Sequence, residues 1–437
     1  MAAEIVRPVP AGPTEGRPRR SWPTPLLAGD EAAWNDMLST PVRKRFWDGT
    51  HRTCPPAQTL EWVRPHLAAM GITRIADVTG LDRIGVPVVT VCRPNSRSLT
   101  VSQGKGIDLD SATASGVLES IELHHAERVM LPLLLASQAE LGPTREVVEV
   151  AGLPRVTDSR FHPHLPLLWV EGYDILTSTV RWVPFEVVHI SAVVPPPAGS
   201  GCFAATSNGL ASGNHLLEAL VHALLEVVER DATAVWGARG EEHRIRTAVD
   251  PATIDHPVSR SVLNACATAG VQVAVFDTTS DTGIPSFLCE VREHQFDPQG
   301  RGVFTGLGCH LNRGVALSRA LTEALQSRLT LITGSRDDLS RSDYVLGPDA
   351  PTSEIRPWRS FRAVPDLPEL PTFNEDLALI LRRLESVGIR QVIGVDLTRP
   401  EFGIPVVRVV VPGLEGPDDD PAYVPGPRAR NAKAGPR

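Results

Sequence analysis

The chain is predicted to be an α/β protein of the α+β type, one domain over residues 29–416 built from three pseudo-repeated helix and β-hairpin units. Two observations lead there. Three times a helical pattern ends in Gly, an apolar strand runs into Asp-x-Thr, and a turn delivers Gly-Ile/Val-Pro before a second strand. Three other segments carry glutamates at helical steps of four and three on an otherwise apolar background.

Taken in order, residues 1–28 are rich in Pro, Gly and Arg without a period and read as a disordered tail. The first unit is TLEWVRPHLAAMG, ITRIADVT and GVPVVTVC, marked by Asp77, Thr79, Gly85 and Pro87. Gly at the helix end fits a C-cap, and two apolar runs joined by a turn fit antiparallel strands. A helix follows, in which Ser115, Glu119 and Glu122 share a face beyond the glycine-flanked Lys105 of QGKG. Strand-like LPLLWVEGYDIL and RWVPFEVVHI lead to SNGLASGNHLLEALVHALLEVVERD. There Glu218, His222, Glu226 and Glu229 line one stripe, and Leu217, Leu220, Leu224, Leu225 and Val228 take the core-facing surface.

The second unit is SVLNACATAG, VQVAVFDTT and GIPSFLCEV, with Asp277, Thr279, Gly283 and Pro285; its following helix bears Arg319, Glu323 and Gln326 at the same steps. The third is LALILRRLESVG, IRQVIGVDLT and GIPVVRVVV, with Asp396, Thr398, Gly403 and Pro405. Because Asp-x-Thr recurs in every unit, it reads as turn chemistry by Asx and Thr side chains, not as a catalytic pair. Residues 417–437 read as a second disordered tail.

Composition narrows the function. Of 437 residues, 42% are hydrophobic and 22% charged, as in an ordinary globular protein. A net charge of −8 opposes a nucleic-acid footprint. No apolar run approaches the roughly 18 residues of a membrane span, and the N-terminus lacks the apolar stretch of a signal peptide, which places the chain in the cytoplasm. Six scattered cysteines, with no CxxC pair and no HExxH, fit neither a zinc site nor a disulfide framework; Cys202 and Cys309, beside glycine-rich stretches, are the candidates for a reactive thiol.

Glutamates on several helices beside Gly-rich and basic leaders point to hard divalent cations, which take oxygen ligands and share them with substrate phosphates. With Lys105 and Arg230 to balance phosphate charge, the constellation reads as a magnesium-nucleotide site. GxxxxGK[ST] and the protein-kinase motif set are both missing, so the fold is neither a P-loop protein nor a kinase.

SxxxExxE at 115–122, SNGLASGNHLLEALVHALLEVVERDA at 207–232 and RALTEALQSR at 319–328 together resemble the YcaO family, over most of residues 45–415. The resemblance implies an ATP- and Mg2+-dependent enzyme that activates a peptide backbone amide by phosphorylating its oxygen. It implies Glu119, Glu122, Glu226 and Glu229 as metal ligands, and Lys105, Ser115, Asn208, Arg230, Arg319, Glu323 and Gln326 as ATP contacts, the last two open to metal as well. Arg319 either reaches phosphate or pairs with Glu323. His222 braces a glutamate from behind, Glu218, one to two turns earlier on the same stripe, is a supporting residue of the same kind with a ligand or a surface position as its alternatives, and His124 and His125 fall on the helix surface or behind the ligands. Ser335 and Arg336 of TGSRDD also resemble a family segment.

Two departures refine the expectation. Leu123 follows Glu122 where many members have Arg, and the ending GPRARNAKAGPR lacks the PxPxP tail frequent in azoline-forming members. With DGTHRTCPPAQTL, CRPNSRSLTVSQGKG and VVVPGLEG, the chain looks more like the branch found beside TfuA proteins, which is linked to thioamide formation in ribosomally made peptides. That branch implies a precursor peptide substrate, a TfuA-like partner and a sulfur donor, and the family implies a homodimer. The competing readings are azoline-forming cyclodehydration on Cys, Ser or Thr, and a nonenzymatic peptide-binding scaffold.

Overall fold

The computed structural model describes residues 26, 30–293, 302–339, 358–418 and 422–434. In chain order its helices are α1 (Glu31–Ser39), α2 (Pro56–Val63), α3 (Leu109–Ala126), α4 (Gln138–Leu141), α5 (Leu216–Ala238), α6 (Glu241–Arg246), α7 (Pro257–Thr268), α8 (Arg313–Thr333), α9 (Phe373–Ser386) and α10 (Pro427–Ala434). The strands are β1 (Arg74–Asp77), β2 (Val88–Cys92), β3 (Val101–Lys105), β4 (Leu133–Ala136), β5 (Leu167–Asp174), β6 (Thr179–Pro184), β7 (Leu210–Ser212), β8 (Val249–Asp250), β9 (Val271–Asp277), β10 (Ser286–Glu293), β11 (Phe304–Cys309), β12 (Arg359–Ser360), β13 (Ile393–Asp396) and β14 (Val406–Val410).

The three units take the form of three antiparallel meanders. The first is β1-β2-β3 and the second β9-β10-β11. The third is β13-β14-β7, its last strand supplied from earlier in the chain and its inner edge extended by β5 and β4. Each third strand leads into a long helix: β3 into α3, β11 into α8, β7 into α5. The third unit is thus complete, but its strand and helix come before its hairpin, an arrangement hidden from a repeat search that runs only forward.

The turns behave alike in all three. Asp77, Asp277 and Asp396 each accept the N–H of the Thr two residues on, at 3.0, 3.0 and 2.8 Å. The hydroxyls of Thr79, Thr279 and Thr398 then accept the first N–H of the returning strand, from Val88, Ser286 and Val406. Asp-x-Thr therefore ties the hairpin together and is no part of a site.

Asp108, His215 and Asn312 cap α3, α5 and α8 with side-chain acceptors. Glycines let β3 and β11 lie directly on their helices: a Cβ on Gly104 would come within 2.0 Å of Ala112 O, and one on Gly308 within 2.1 Å of Ala316 O. The leucine face of α5 is buried as expected, with Leu217, Leu220, Leu224 and Val228 all fully enclosed.

The two tails fare differently. Of residues 1–28 only Leu26 is among those described, and its N–H donates to Asp396 Oδ2 at 2.9 Å. The expectation of a featureless stretch at 417–437 is corrected by α10. Glu415 gathers the Tyr423 hydroxyl and the N–H groups of Gly426 and Ala429, while Arg428 grips the buried Asp231 of α5 through two bonds of 2.8 and 2.9 Å. A helix this short and polar draws its order from these tertiary bonds, which a sequence pattern does not display.

Candidate functional site

The three helices α3, α5 and α8 enclose one cavity of about 620 Å³. Counted from the caps, the wall positions coincide: seven residues on stand Ser115, His222 and Arg319; eleven on, Glu119, Glu226 and Glu323; fourteen on, Glu122, Glu229 and Gln326. All nine line the cavity, and Lys105 and Arg230 join them. The stepping read from the sequence is the signature of one helix face used three times.

The charges interlock. Lys105 forms an ion pair with Glu323, whose other oxygen accepts Leu307 N–H at 3.1 Å. Glu122 accepts both the N–H and the hydroxyl of Ser212, each at 2.7 Å. Arg230, one turn beyond Glu226, lies 3.7 Å from Glu229. Burial pushes Glu119 up to about 7 against the pull of Lys105 and Arg336, and pushes Glu122 up to about 8 against its bonds to Ser212. Glu226 is likewise raised by burial to about 7, opposed by Arg230. Burial also raises Glu229; it works on Glu323 in the same sense, but there Lys105 and Arg230 outweigh it and hold the carboxyl low.

A magnesium nucleotide fits this donor set. Four carboxylates that the protein makes reluctant to ionise are relieved by cations, and Lys105, Arg230 and Arg336 stand by for phosphate. Gln326 Oε1 is an oxygen acceptor buried without a partner. Among the described residues no three His, Cys, Asp or Glu side chains converge tightly enough to hold a metal alone. Mg2+ is held through one or two carboxylates and completes its shell with water and phosphate.

Several expectations change. His222 braces no glutamate: it stands in the wall and its Nε2 receives Arg319 Nη2. A guanidinium only donates, so this ring is neutral with its proton on Nδ1, and burial followed by Arg319 holds its pKa well below the usual value. Arg319 accordingly pairs with His222, not with Glu323. Asn208 is not part of the cavity wall; it sits in the turn that Leu210 N–H closes onto Ser207 O, and Ser207 is the residue that reaches inside. Glu218 is likewise absent from the wall, but it stands behind it, 1% exposed, accepting bonds from Thr53, Arg52 and Asn214.

His124 and His125 are buried, not on the helix surface, since α3 is covered on that side by the Phe402 loop. Cys202 and Cys309 are buried too, and burial raises both thiols, Cys309 to about 12, which leaves them unreactive.

The sequence reading does not pick out Thr50, Arg52, Thr59 or Asn214, which build the wall nearest the start of α5. For Thr50, Arg52 and Thr59 the only signal is the run DGTHRTCPPAQT, which has no period and which Glu218, more than 150 positions later, brings into place; Asn214 lies within the SNGLASGNH stretch just before α5.

Comparison with known proteins agrees with this geometry. The family described as YcaO cyclodehydratase, ATP- and Mg2+-binding, matches residues 103–415. The chain belongs to the YcaO family, and is an ATP-dependent peptide-modifying enzyme with ATP and Mg2+ as cofactors. It is 35% identical over 380 residues to an uncharacterized protein in the tfuA 3′ region of Rhizobium leguminosarum bv. trifolii, covering 83% of this chain and 88% of that one. A protein of Methanothermobacter thermautotrophicus is 34% identical over 391 residues, 86% of this chain and 98% of the relative. In fold the chain is similar to the YcaO protein of Methanopyrus kandleri bound with AMPPCP and Mg2+ (TM-score 0.67, 21% identity, 88% and 98% coverage). It is also similar to a heterocyclase in complex with substrate and cofactor (TM-score 0.67, 22% identity, 87% and 55% coverage). Among the described residues no helix is long and apolar enough to cross a membrane.

Proposed function

We propose that this enzyme installs a thioamide in the backbone of a ribosomally made peptide, working with a TfuA-like partner and a sulfur donor. The observation that carries the reading is the 35% identity, over most of both chains, to the protein in the tfuA 3′ region.

In this reading Glu119, Glu122, Glu226 and Glu229 hold magnesium, with Glu323 and Gln326 beside them for metal or nucleotide. Lys105, Ser115, Arg230 and Arg319 face phosphate. Bound ATP supplies a transferable γ-phosphoryl group, neutralised by magnesium. A hydrosulfide-level nucleophile adds to the amide carbon, the former carbonyl oxygen takes the phosphoryl group, and phosphate departs with that oxygen to leave C=S. One amide, one equivalent of hydrogen sulfide and ATP become one thioamide, ADP and phosphate. The protein's share is to position the partners and stabilise charge as it moves.

A second reading follows from the family description itself: cyclodehydration, in which a Cys, Ser or Thr of the peptide is the nucleophile and an azoline forms. Incubating the precursor peptide with enzyme, TfuA-like partner and MgATP, with and without sulfide, separates them by mass. Sulfide-dependent gain of the sulfur-minus-oxygen difference supports the thioamide; loss of one water regardless of sulfide overturns it.

A further inference from the structure

Seven residues beyond their caps, α3, α5 and α8 place Ser115, His222 and Arg319, and the last two meet between facing helices in the cavity wall. Arg319 Nη2 donates to His222 Nε2, so the ring is neutral and Nε2 carries its one proton-accepting lone pair. Nδ1, which holds the ring's proton, is buried with no hydrogen-bond partner among the described residues. An unmet buried donor is a cost to the fold, which a histidine kept for stability alone would not impose.

The other bases of the wall are committed. The four magnesium carboxylates belong to the metal, Glu323 is paired with Lys105, and Asp338 accepts Arg336 Nε at 2.9 Å. Asp48 is exposed to solvent. His222 is the neutral base that remains, and the chemistry calls for one. Once the amide oxygen is phosphorylated, the former amide carbon bears both S–H and O–phosphoryl. In its collapse the S–H bond breaks and its electron pair closes C=S, while the C–O bond breaks and its pair leaves with phosphate. The proton needs an acceptor. Cyclodehydration has the same need, the proton then coming from N–H as C=N closes.

We propose that His222 is the general base of this collapse, and that Arg319 covers its Nε2 until nucleotide is bound. A guanidinium bonds more strongly to phosphate oxygens than to a neutral ring nitrogen. Arg319 therefore leaves the ring for bound triphosphate and uncovers the lone pair, and Nε2 takes the proton and passes it to the departing phosphate. The inference rests on phosphorylation of the amide oxygen as proposed above, and holds for either product.

The test uses the full chain with precursor peptide, TfuA-like partner, sulfide and MgATP. Peptide carrying heavy oxygen at its backbone carbonyls reads the underlying chemistry, and the parent enzyme transfers the label into phosphate. If the parent transfers none, amide phosphorylation fails and the base role falls with it. His222→Gln keeps an acceptor for Arg319 but cannot take a proton. Its ligand-free melting temperature, MgATP affinity and peptide KM stay at parental values, while kcat falls about a hundredfold or more. A parental kcat in this variant, with label transfer intact in the parent, overturns the proposal alone; so does a loss of MgATP affinity large enough to account for the slower rate. Should His222→Gln not fold, His222→Asn carries the same expectations. The cover is read without turnover, by nitrogen NMR of isotope-labelled histidine. The Nε2 resonance of His222, identified by its absence from the variant, moves toward that of an unbonded lone pair when a non-hydrolysable MgATP analogue binds. A resonance that stays put leaves the lone pair covered and overturns the proposal.

Discussion

Replacing Glu218 with Gln tests what holds the outer wall of the cavity. One carboxylate oxygen accepts from Asn214 N at 3.3 Å, Asn214 Nδ2 at 3.1 Å and Arg52 Nη1 at 3.3 Å; the other accepts from Thr53 N at 2.9 Å and Thr53 Oγ1 at 2.8 Å. An amide has a single oxygen, so in either orientation its nitrogen, which only donates, confronts a main-chain N–H. One buried donor left unmet costs about 1–3 kcal/mol, and losing charge assistance on the remaining bonds adds about 1 kcal/mol. The sum, about 2–4 kcal/mol, lowers the melting temperature of a chain this long by about 2–5 °C. Differential scanning calorimetry with and without MgATP reads the outcome. The drop is expected in both conditions, accompanied by weaker MgATP binding because Arg52 and Asn214, which line the cavity, lose their shared support. An unchanged ligand-free melting temperature together with loss of the MgATP-induced shift would refute the reasoning, since that is how a direct metal ligand behaves.

Two further outcomes follow from the same structure. Arg428→Ala leaves Asp231 buried with one N–H donor, from Glu415, and no cation, which costs about 3–5 kcal/mol; hydrogen exchange should show residues 422–434 losing protection first, and unchanged protection would refute the clamp. His125, which burial lowers to about 3, stays neutral in the fold while the unfolded chain gains a proton below about pH 6.5; stability therefore drops by about 2 kcal/mol between pH 6.5 and 5 through this residue. Subtracting the denaturation profile of His125→Gln from that of the parent isolates this contribution from the cavity carboxylates, whose raised values act in the opposite sense. Superimposable acid limbs would sink the assignment.

The parts of the site legible in the sequence are those a single helix carries. Steps of four and three mark Ser115, Glu119 and Glu122, and the same steps mark Arg319, Glu323 and Gln326, because one helix face repeats at that interval. Partnerships across elements were not legible. Nothing in RALTEALQ shows that Arg319 turns to His222 or that Glu323 takes Lys105, since both partners lie on other elements. The order of α10 escaped for a related reason: its sequence is that of a loose tail, and only Asp231 and Glu415, far upstream, give it a place to bind.

The divided third unit also bears on how the enzyme is made. On the ribosome, β7 and α5, carrying Glu226 and Glu229, emerge well before β14, which pairs with β7 and packs on α5, and its hairpin partner β13. Contacts between such distant segments form late in folding. A chain stalled before residue 393 has both α3 and α8 in hand but lacks the strand that pairs with β7 and packs on α5, so one wall of the chamber is without part of its support.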